Sequence, residues 1–297
     1  MIEKRLGILL CSCDAYEDVW HPFFRLFEKY GGDLKKCNIY LNTESKSYSY
    51  KGLNIITPQL YKAGEKAPWG ERFIKTVDTI KEEYVLILID DFLLRRDVDI
   101  DMFKKCIQYL DENKDVASFN LIHLDVNSVD EPSEKFPEFC IVPSGTKYRV
   151  NAQAGIWRKD LLKKSILPQE SPWDWETYGN MRNDVVLKEE IYALKKGERE
   201  PYFYDFYNEA YGTISAIMRG KWVVDFVEDL FRENDIQIDF SVRGTYQPVK
   251  QKSFRTSLPF RAVRFVLLPL RPIFKRKQHK EHKRKMKELV LPYLNQE

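Results

Sequence analysis

The sequence predicts an α/β fold in which a mostly parallel sheet is flanked by helices. Over about the first 125 residues, apolar runs alternate with segments that carry apolar residues at helical spacing, and this alternation is typical of parallel sheets. The run YVLILI at residues 84–89 is continuous and too short for a membrane span, so it predicts a buried central strand. Shorter strand patterns between residues 136 and 160 predict a small antiparallel extension.

The elements of the first half follow in order from these patterns. The predicted strands share short apolar runs and cover residues 6–13, 37–43, 53–57, 84–89 and 115–126. The predicted helices share apolar residues at helical spacing and cover residues 17–30, 68–81 and 100–112. Pro22 lies in the first turns of the first helix and Gly31-Gly32 follows its end, which are the expected start and stop signals.

The second half is less regular. The patterns FCIV and KYRVNAQAGIWRK within 136–160 predict strands. Helices are predicted at 159–167, 185–196 and 222–234. Residues 168–184 are predicted to be a loop that leads into a helix, and residues 201–207 an extended segment. The 297 residues suffice for one large domain or two smaller ones with a sizeable core.

The charge is divided unevenly along the chain. The net charge is +3, but residues 250–297 hold 14 Lys/Arg against 3 Asp/Glu, so this tail carries +11 and the rest carries −8. Arginines and prolines interrupt the apolar stretch 258–274 too often for it to span a bilayer. We therefore expect a body at 1–245 and a basic amphipathic tail at 246–297, which binds an anionic membrane surface through residues 255–297. A nucleic-acid-binding tail and a helix packed on the body are the alternatives, and the acidic body does not favour nucleic acid.

Other function classes lack their signatures. The sequence has no Gly-rich P-loop, no GxGxxG and no GxSxG, which argues against ATPases, Rossmann dehydrogenases and many hydrolases. Its five cysteines have no zinc spacing and are expected to be reduced core thiols. The strand pattern begins at once, so no signal peptide is expected and a cytoplasmic location is predicted.

The acidic pair Asp90-Asp91 directly follows the apolar run at 84–89. Two carboxylates at the end of a buried strand are costly unless they are neutralised, and a divalent cation that carries a phosphate would neutralise them. The alternative is a strand that ends at a solvated turn. Asp14 also follows a predicted strand, so all three acids are expected at the sheet edge where such folds bind ligands.

Four pieces of the sequence, in this order, resemble a known family. They are SCDAYEDVW at 12–20, DDF at 90–92, NAQAGIW at 151–157 and PWDWE at 172–176. Together they resemble bacterial surface-polysaccharide (capsule and O-antigen) glycosyltransferases of the nucleotide-diphospho-sugar transferase, or GT-A, fold, over roughly residues 5–240. The resemblance implies a Rossmann-like GT-A sheet and an inverting enzyme. Such an enzyme moves a sugar from a UDP- or GDP-linked donor to a lipid-linked or polysaccharide acceptor at the cytoplasmic membrane face.

The resemblance also implies a donor site. Asp90 and Asp91 would bind Mn²⁺ or Mg²⁺, although they stand where the family usually has Asp-x-Asp, which leaves metal dependence open. Asp14 would contact the nucleotide, with a helix N-cap as its alternative role. Trp69 and Arg72 are further candidates near the donor nucleotide. Arg72, Arg149 and Arg182 are candidates for stabilising the departing diphosphate. Core packing for the tryptophan and ordinary ion pairs for the arginines are the alternatives.

A second chemical centre is implied at residues 172–176. An inverting transferase needs a general base, and Asp174 and Glu176 stand at the expected helix start, with Asp174 preferred. Trp173 and Trp175 flank them and are expected to pack on sugar rings and raise the carboxylate pKa. A capping motif is the alternative interpretation of this segment. For the whole protein, a non-catalytic membrane-peripheral protein of glycan assembly or binding is the alternative, and a nucleotidyltransferase a weaker one.

Overall fold

The computed structural model describes residues 1–124, 131–204, 207–208, 212–213, 215–246 and 271–294. The chain divides into two compact units, residues 1–246 and residues 247–297. The first unit contains the sheet and the side chains of the candidate site. The second contains one described helix.

An eight-stranded sheet forms the centre of the first unit, with the strand order β3-β2-β1-β4-β7-β5-β8-β6. Its strands are β1 Leu6–Cys11, β2 Asn38–Asn42, β3 Asn54–Ile56, β4 Tyr84–Ile89, β5 Val116–Asn120, β6 Phe139–Ile141, β7 Gly155–Arg158 and β8 Glu190–Leu194. Two small antiparallel pairs lie outside it: β9 Tyr207–Asn208 with β10 Gly212–Thr213, and β11 Ile217–Met218 with β12 Lys221–Trp222.

Pairing within the sheet explains where the site lies. Strand β1 is parallel to β2 and β4, and β5 is parallel to β8. Strand β7 runs antiparallel between β4 and β5, with Gly155 opposite both Ile87 and Asn120. The carboxyl ends of β1, β2, β4 and β5 and the start of β7 therefore meet at one edge of the sheet. The predicted α/β class and the mostly parallel sheet with an antiparallel extension are confirmed.

The described helices are α1 Glu17–Tyr30, α2 Trp69–Thr79, α3 Ile100–Glu112, α4 Lys159–Lys164, α5 Pro172–Asp174, α6 Asn180–Val186, α7 Val224–Glu233, α8 Phe240–Arg243 and α9 Arg271–Leu294. Helices α1, α2 and α3 each bury one apolar face, as amphipathic helices on a sheet do. A turn of π-helix over Trp175–Gly179 joins α5 to α6. In the part of the chain that the structure describes, no helix has both the length and the apolar character needed to cross a bilayer.

Burial confirms the central position of β4. Residues 84–88 are completely buried, as expected for a strand covered on both faces. The predicted core position of the cysteines is confirmed for four of them, which are buried: Cys11, Cys37, Cys106 and Cys140.

The predicted helix at 185–196 is wrong. Helix α6 ends at Val186, and Glu190–Leu194 form the buried strand β8 between β5 and β6. The sequence EEIYALKK is too short for its periodicity to distinguish a helix from a strand, and pairing on both sides decides for the strand. The predicted strand at 115–126 is shorter in the structure and ends at Asn120. Residues 125 and 126 of the predicted strand lie outside the described part of the chain. Most of the apolar stretch at 258–274 also lies outside it.

A buried ion pair fixes the helical segment 172–186. The Arg182 guanidinium donates to both oxygens of the Glu170 carboxylate, and both side chains are at most 1% exposed. The Ser165 carbonyl accepts hydrogen bonds from Arg182, from Trp175 Nε1 at 3.0 Å and from Asn183 Nδ2 at 2.9 Å. These bonds hold the π-turn and the two short helices on the body.

We expect Arg182→Met to lower the free energy of unfolding by about 3–5 kcal/mol, because it leaves the buried Glu170 carboxylate without its partner. Urea denaturation measures the change. Arg232→Met is the matched control, since its pair with Asp229 is exposed on both sides and contributes little. Equal effects of the two substitutions would contradict the structural importance of the buried pair.

Candidate active site

The acidic pair Asp90-Asp91 lies directly after β4 at the carboxyl edge of the sheet. Asp90 is 2% exposed, and its backbone N–H donates to the Cys11 carbonyl at 3.3 Å. The Ser12 hydroxyl donates to the Asp90 carboxylate, and Trp20 Nε1 donates to the Ser12 hydroxyl at 2.7 Å. A chain of hydrogen bonds from the buried indole therefore fixes the rotamer of Asp90.

The surroundings of the pair oppose two negative charges. Burial raises the pKa of Asp90 well above its usual range, and the charge of Asp91 adds to this, while the Ser12 hydrogen bond works against it. Burial also raises the pKa of Asp91 to about 6, against a hydrogen bond from Ser215. Full ionisation of both carboxylates therefore needs additional positive charge.

Arg243, at the end of α8, supplies part of that positive charge. It is not among the candidate site residues predicted from the sequence. Its guanidinium donates to both Asp18 oxygens at 2.5 and 3.1 Å, to the Ala15 carbonyl at 3.0 Å, and stacks 4.1 Å above the Tyr16 ring. Its charge lowers the pKa of both Asp90 and Asp91. No local sequence signal points to Arg243, because it reaches the site only through the fold.

The donor atoms of the pair fit a divalent cation. The described residues contain no cluster of three or more His, Cys, Asp or Glu side chains that could hold a metal ion by itself. Mg²⁺ and similar hard cations, however, are commonly held by one or two carboxylates together with the phosphates of a substrate. Asp90 and Asp91 are two such carboxylates, and their raised pKa values are what an added cation would offset.

Asp14 and Arg72 lie around the loop that follows β1. The Asp14 carboxylate accepts hydrogen bonds from the backbone N–H groups of residues 44, 45 and 46, each at about 3.1 Å, and from the Ser45 hydroxyl at 2.7 Å. Burial acts to raise the pKa of Asp14, but these hydrogen bonds outweigh it and the pKa is lowered. Arg72 donates to the Ser12 carbonyl at 3.0 Å and lies 3.4 Å from the Glu44 carboxylate. Arg72 is thus linked to Asp90 through Ser12, whereas Asp14 binds the segment at residues 44–46.

Trp69 and the two remaining arginines lie among structural contacts. Trp69 is half-buried against Phe73, with 4.9 Å between ring centroids. Arg149 is buried and donates to the carbonyls of Val142 and Glu189, and Arg182 donates to Glu170 and Ser165. Among the contacts of the described residues, neither arginine meets the acidic pair, so their predicted roles at the diphosphate stay predictions that these contacts do not favour.

Asp174 and Glu176 have different surroundings. Asp174 forms a capping box with Ser171, in which its carboxylate accepts from the Ser171 N–H at 3.1 Å and from the hydroxyl at 2.6 Å. The capping motif considered from the sequence is therefore present. Glu176 instead accepts the Ala152 N–H at 2.9 Å. Burial raises its pKa, which that hydrogen bond only partly opposes.

The two tryptophans beside these acids also differ. Trp173 is 75% exposed, whereas Trp175 is completely buried against Trp69, Phe73 and Trp157. Trp175 therefore belongs to the core and is not available to pack on a sugar ring, as had been expected for both. The two residues are only two positions apart in the sequence, but they lie on different sides of the helical segment, one in solvent and one in the core.

The segment Asn151–Ala154 connects the acidic pair with Glu176. Ala152 donates to Glu176, and the next residue, Gln153, accepts a hydrogen bond from the Tyr204 hydroxyl at 2.5 Å. The Tyr204 ring stacks on Phe92, which directly follows the acidic pair, with 4.0 Å between centroids. Both acidic centres therefore lie at one edge of the sheet, on either side of a short segment that leads into β7.

No protein-family model and no curated protein matches this sequence. Among solved structures, TarS 1-349 of S. aureus in complex with UDP-GlcNAc is similar, with 15% identity and a TM-score of 0.39 over 67% of this chain and 60% of that one. Mannosyltransferase PcManGT from Pyrobaculum calidifontis, in complex with GDP-Man and Mn²⁺, has 8% identity and a TM-score of 0.40 over 66% and 58%. A cytidylyltransferase from Leptospira borgpetersenii has 13% identity and a TM-score of 0.40 over 82% and 98%.

The chain spans less than two thirds of the length of the first two of these proteins. At such identities and TM-scores the likenesses carry no argument about this chain. The first unit has a mostly parallel, Rossmann-like sheet with an antiparallel strand and an acidic pair directly after β4, in agreement with the sheet that the GT-A resemblance implied.

We expect Asp91 to contribute a loss of unfolding free energy as the pH rises from about 4 to about 6. Asp91 keeps its proton up to about pH 6 in the folded protein, but its unperturbed pKa is 3.8. In this window the folded state binds more protons at Asp91 than the unfolded chain does, so this contribution to stability decreases with increasing pH. Urea denaturation across this range should show a smaller loss, or a larger gain, of stability with rising pH for Asp91→Asn than for wild type. The exposed Asp101→Asn is the control, and an unchanged slope in Asp91→Asn would contradict the prediction.

Proposed function

We propose that this protein is a glycosyltransferase that moves a sugar from a nucleotide-diphosphate donor to a glycan or lipid-linked acceptor. The observation that carries the proposal is the acidic pair at the carboxyl edge of the sheet, in which Asp90 is buried and Asp91 is half-buried, together with a second half-buried acid, Glu176, which bonds to Ala152 just before β7. One centre suits a phosphate-bound cation and the other suits proton transfer. A metal-dependent inverting transferase uses both.

The donor half of the proposal assigns the diphosphate to the acidic pair. Asp90 and Asp91 would hold Mn²⁺ or Mg²⁺, and the cation would supply positive charge to the phosphates. Asp14 and Arg72 line the same edge and would face the nucleotide, UDP or GDP. Ser12 and Trp20 keep Asp90 in place, and Arg243 keeps both carboxylates more readily ionised.

The acceptor half assigns the general base to Glu176 rather than Asp174. The Asp174 carboxylate is used in the capping box, whereas Glu176 is partly buried with a raised pKa, as a base that works near neutral pH requires. Glu176 would take the proton of the acceptor hydroxyl while the acceptor oxygen bonds to the anomeric carbon. The bond from that carbon to the diphosphate oxygen breaks, and the nucleoside diphosphate leaves. This is an inverting displacement.

The location belongs to the proposal as well. Helix α9 presents exposed cationic side chains at Lys280, Lys283, Arg284 and Lys285, whereas Met286 and Val290 are buried. A cationic helix surface suits anionic lipid headgroups. We place the enzyme on the cytoplasmic face of the plasma membrane, held by residues 255–297. Residues 255–270 lie outside the described part of the chain.

Donor turnover tests the chemistry. With UDP- and GDP-sugars and Mn²⁺, we expect wild type to hydrolyse or transfer at least one donor, and Asp91→Asn to lose this turnover together with Mn²⁺ binding measured by electron paramagnetic resonance. Glu176→Gln should lower the rate of transfer by about 10²–10⁴-fold, the usual contribution of a general base, and should leave Mn²⁺ binding unchanged.

Asp174→Asn is the matched control for the base, because it alters the helix cap two residues away. It should reduce stability more than transfer. If wild type turns over no donor, or if Asp91→Asn and Glu176→Gln leave cellular glycan unchanged, the protein is instead a non-catalytic binding or assembly protein on the same scaffold.

Vesicle sedimentation tests the membrane assignment. We expect the full chain to bind vesicles that contain anionic phosphatidylglycerol, and a chain without residues 255–297 to remain in the supernatant while its sheet domain stays folded by circular dichroism. Salt should weaken the binding, because it screens the basic residues. Vesicles of neutral phosphatidylcholine are the control, and undiminished anionic binding by the truncated chain would contradict the assignment.

A further inference from the structure

One face of the helical segment 172–186 is exposed although it carries large apolar side chains. Trp173, Thr177 and Met181 are exposed at every fourth position, whereas most of the residues between them are buried. Trp173 is 75% exposed and Met181 is 44% exposed. An exposed tryptophan combines a large apolar ring with a polar N–H group, and such side chains are enriched at binding interfaces.

The π-turn aligns these side chains. In an uninterrupted α-helix, residues eight positions apart are separated by about 80° around the axis. The wider turn over Trp175–Gly179 rotates each residue by less and so reduces this offset. Trp173 and Met181 therefore lie on one ridge, roughly 12 Å apart along the axis at about 1.5 Å per residue.

Tyr148 lies on the loop that is bound to this segment. The Asn180 side chain donates to the Thr146 carbonyl at 2.7 Å and accepts the Val150 N–H at 2.9 Å. Tyr148 itself is 51% exposed and has a φ of +59°, a conformation that is costly for a bulky residue. Strain of this kind is found preferentially at functional sites.

We propose that Trp173, Tyr148 and Met181 form a platform that binds the acceptor as an uncharged glycan chain, and this inference rests on the proposed transferase function. The candidate base Glu176 lies on the same helical segment, three residues after Trp173, and bonds to Ala152, four residues after Tyr148. Flat aromatic rings bind the apolar C–H faces of sugars, and the Thr177 hydroxyl can bond a sugar hydroxyl. A glycan bound on the ridge therefore lies on the helical segment that carries Glu176.

Charge and shape favour this occupant over others. Residues 1–249 carry a net charge of −8, and Asp174 and Glu176 lie directly beside the ridge, so a polyanionic acceptor or an anionic bilayer would be repelled. The large apolar side chains are separated by Thr177 and do not form the continuous apolar patch that a lipid or a protein partner would require.

Glycan binding without any donor tests the platform. The probes are short cello-, chito-, malto- and manno-oligosaccharides, with binding measured by saturation-transfer NMR and calorimetry on the full chain. We expect wild type to bind at least one of them, and Trp173→Ala and Tyr148→Gly to weaken that binding roughly tenfold or more, which corresponds to about 1.4 kcal/mol. In transfer assays the same variants should raise KM for the acceptor and leave donor hydrolysis unchanged.

The variant Tyr148→Gly distinguishes a loss of glycan binding from a loss of protein stability. Glycine adopts positive φ without strain, so this variant should keep or gain stability in urea while it loses glycan binding. Val242→Ala, an exposed apolar residue at 70% exposure on α8, is the control and should leave binding unchanged.

The inference is overturned if no probe binds wild type, if both platform variants bind as wild type does, or if Trp173→Ala instead abolishes binding to phosphatidylglycerol vesicles. These outcomes leave donor hydrolysis intact. Failure of the proposed function would instead show as the absence of donor turnover in wild type.

Discussion

The placement of two adjacent carboxylates, one buried and one half-buried, at the end of an apolar strand is the constraint on which the rest of the candidate site depends. An ionised carboxylate loses several kcal/mol of hydration when it leaves water, so it requires hydrogen bonds or positive charge nearby. Here the Ser12 hydroxyl supplies the hydrogen bond to Asp90, and Arg243 supplies charge. Ser12 follows β1 and Arg243 ends α8, so groups from two distant parts of the chain act on the acidic pair.

The features that follow from local sequence were predictable. Strand β4 and its terminal acids were identified because an apolar run and two carboxylates are contiguous in the sequence, and α1 because its stop signal is local. Strand β8 was missed, because only pairing with β5 and β6 separates a short apolar strand from a helix. Arg243 was missed for a similar reason. A surface arginine and a site arginine look alike until the fold brings one of them to Asp18.

In the segment 171–176, too, the local sequence did not determine the role of each residue. The spacing of Ser171 and Asp174 suggested a capping box as readily as a catalytic acid, and the structure contains that capping box. The two acids differ in their contacts, because the Asp174 carboxylate bonds to Ser171 whereas the Glu176 carboxylate accepts the Ala152 N–H. The two tryptophans differ in the same way, because the helix sends Trp175 into the core and leaves Trp173 in solvent. Composition identifies such residues, and only tertiary contacts assign them.

The bond between Arg243 and Asp18 joins residues 225 positions apart, and this has a consequence for how the protein is made. A chain is synthesised from its N-terminus, and domains begin to fold in that order. Strands β1 and β4 therefore leave the ribosome well before α8 does, and for that interval the carboxylates lack the guanidinium. The arrangement around the acidic pair is completed only when nearly the whole first unit has emerged, so a nascent chain that is cut short before residue 243 lacks the guanidinium beside Asp18.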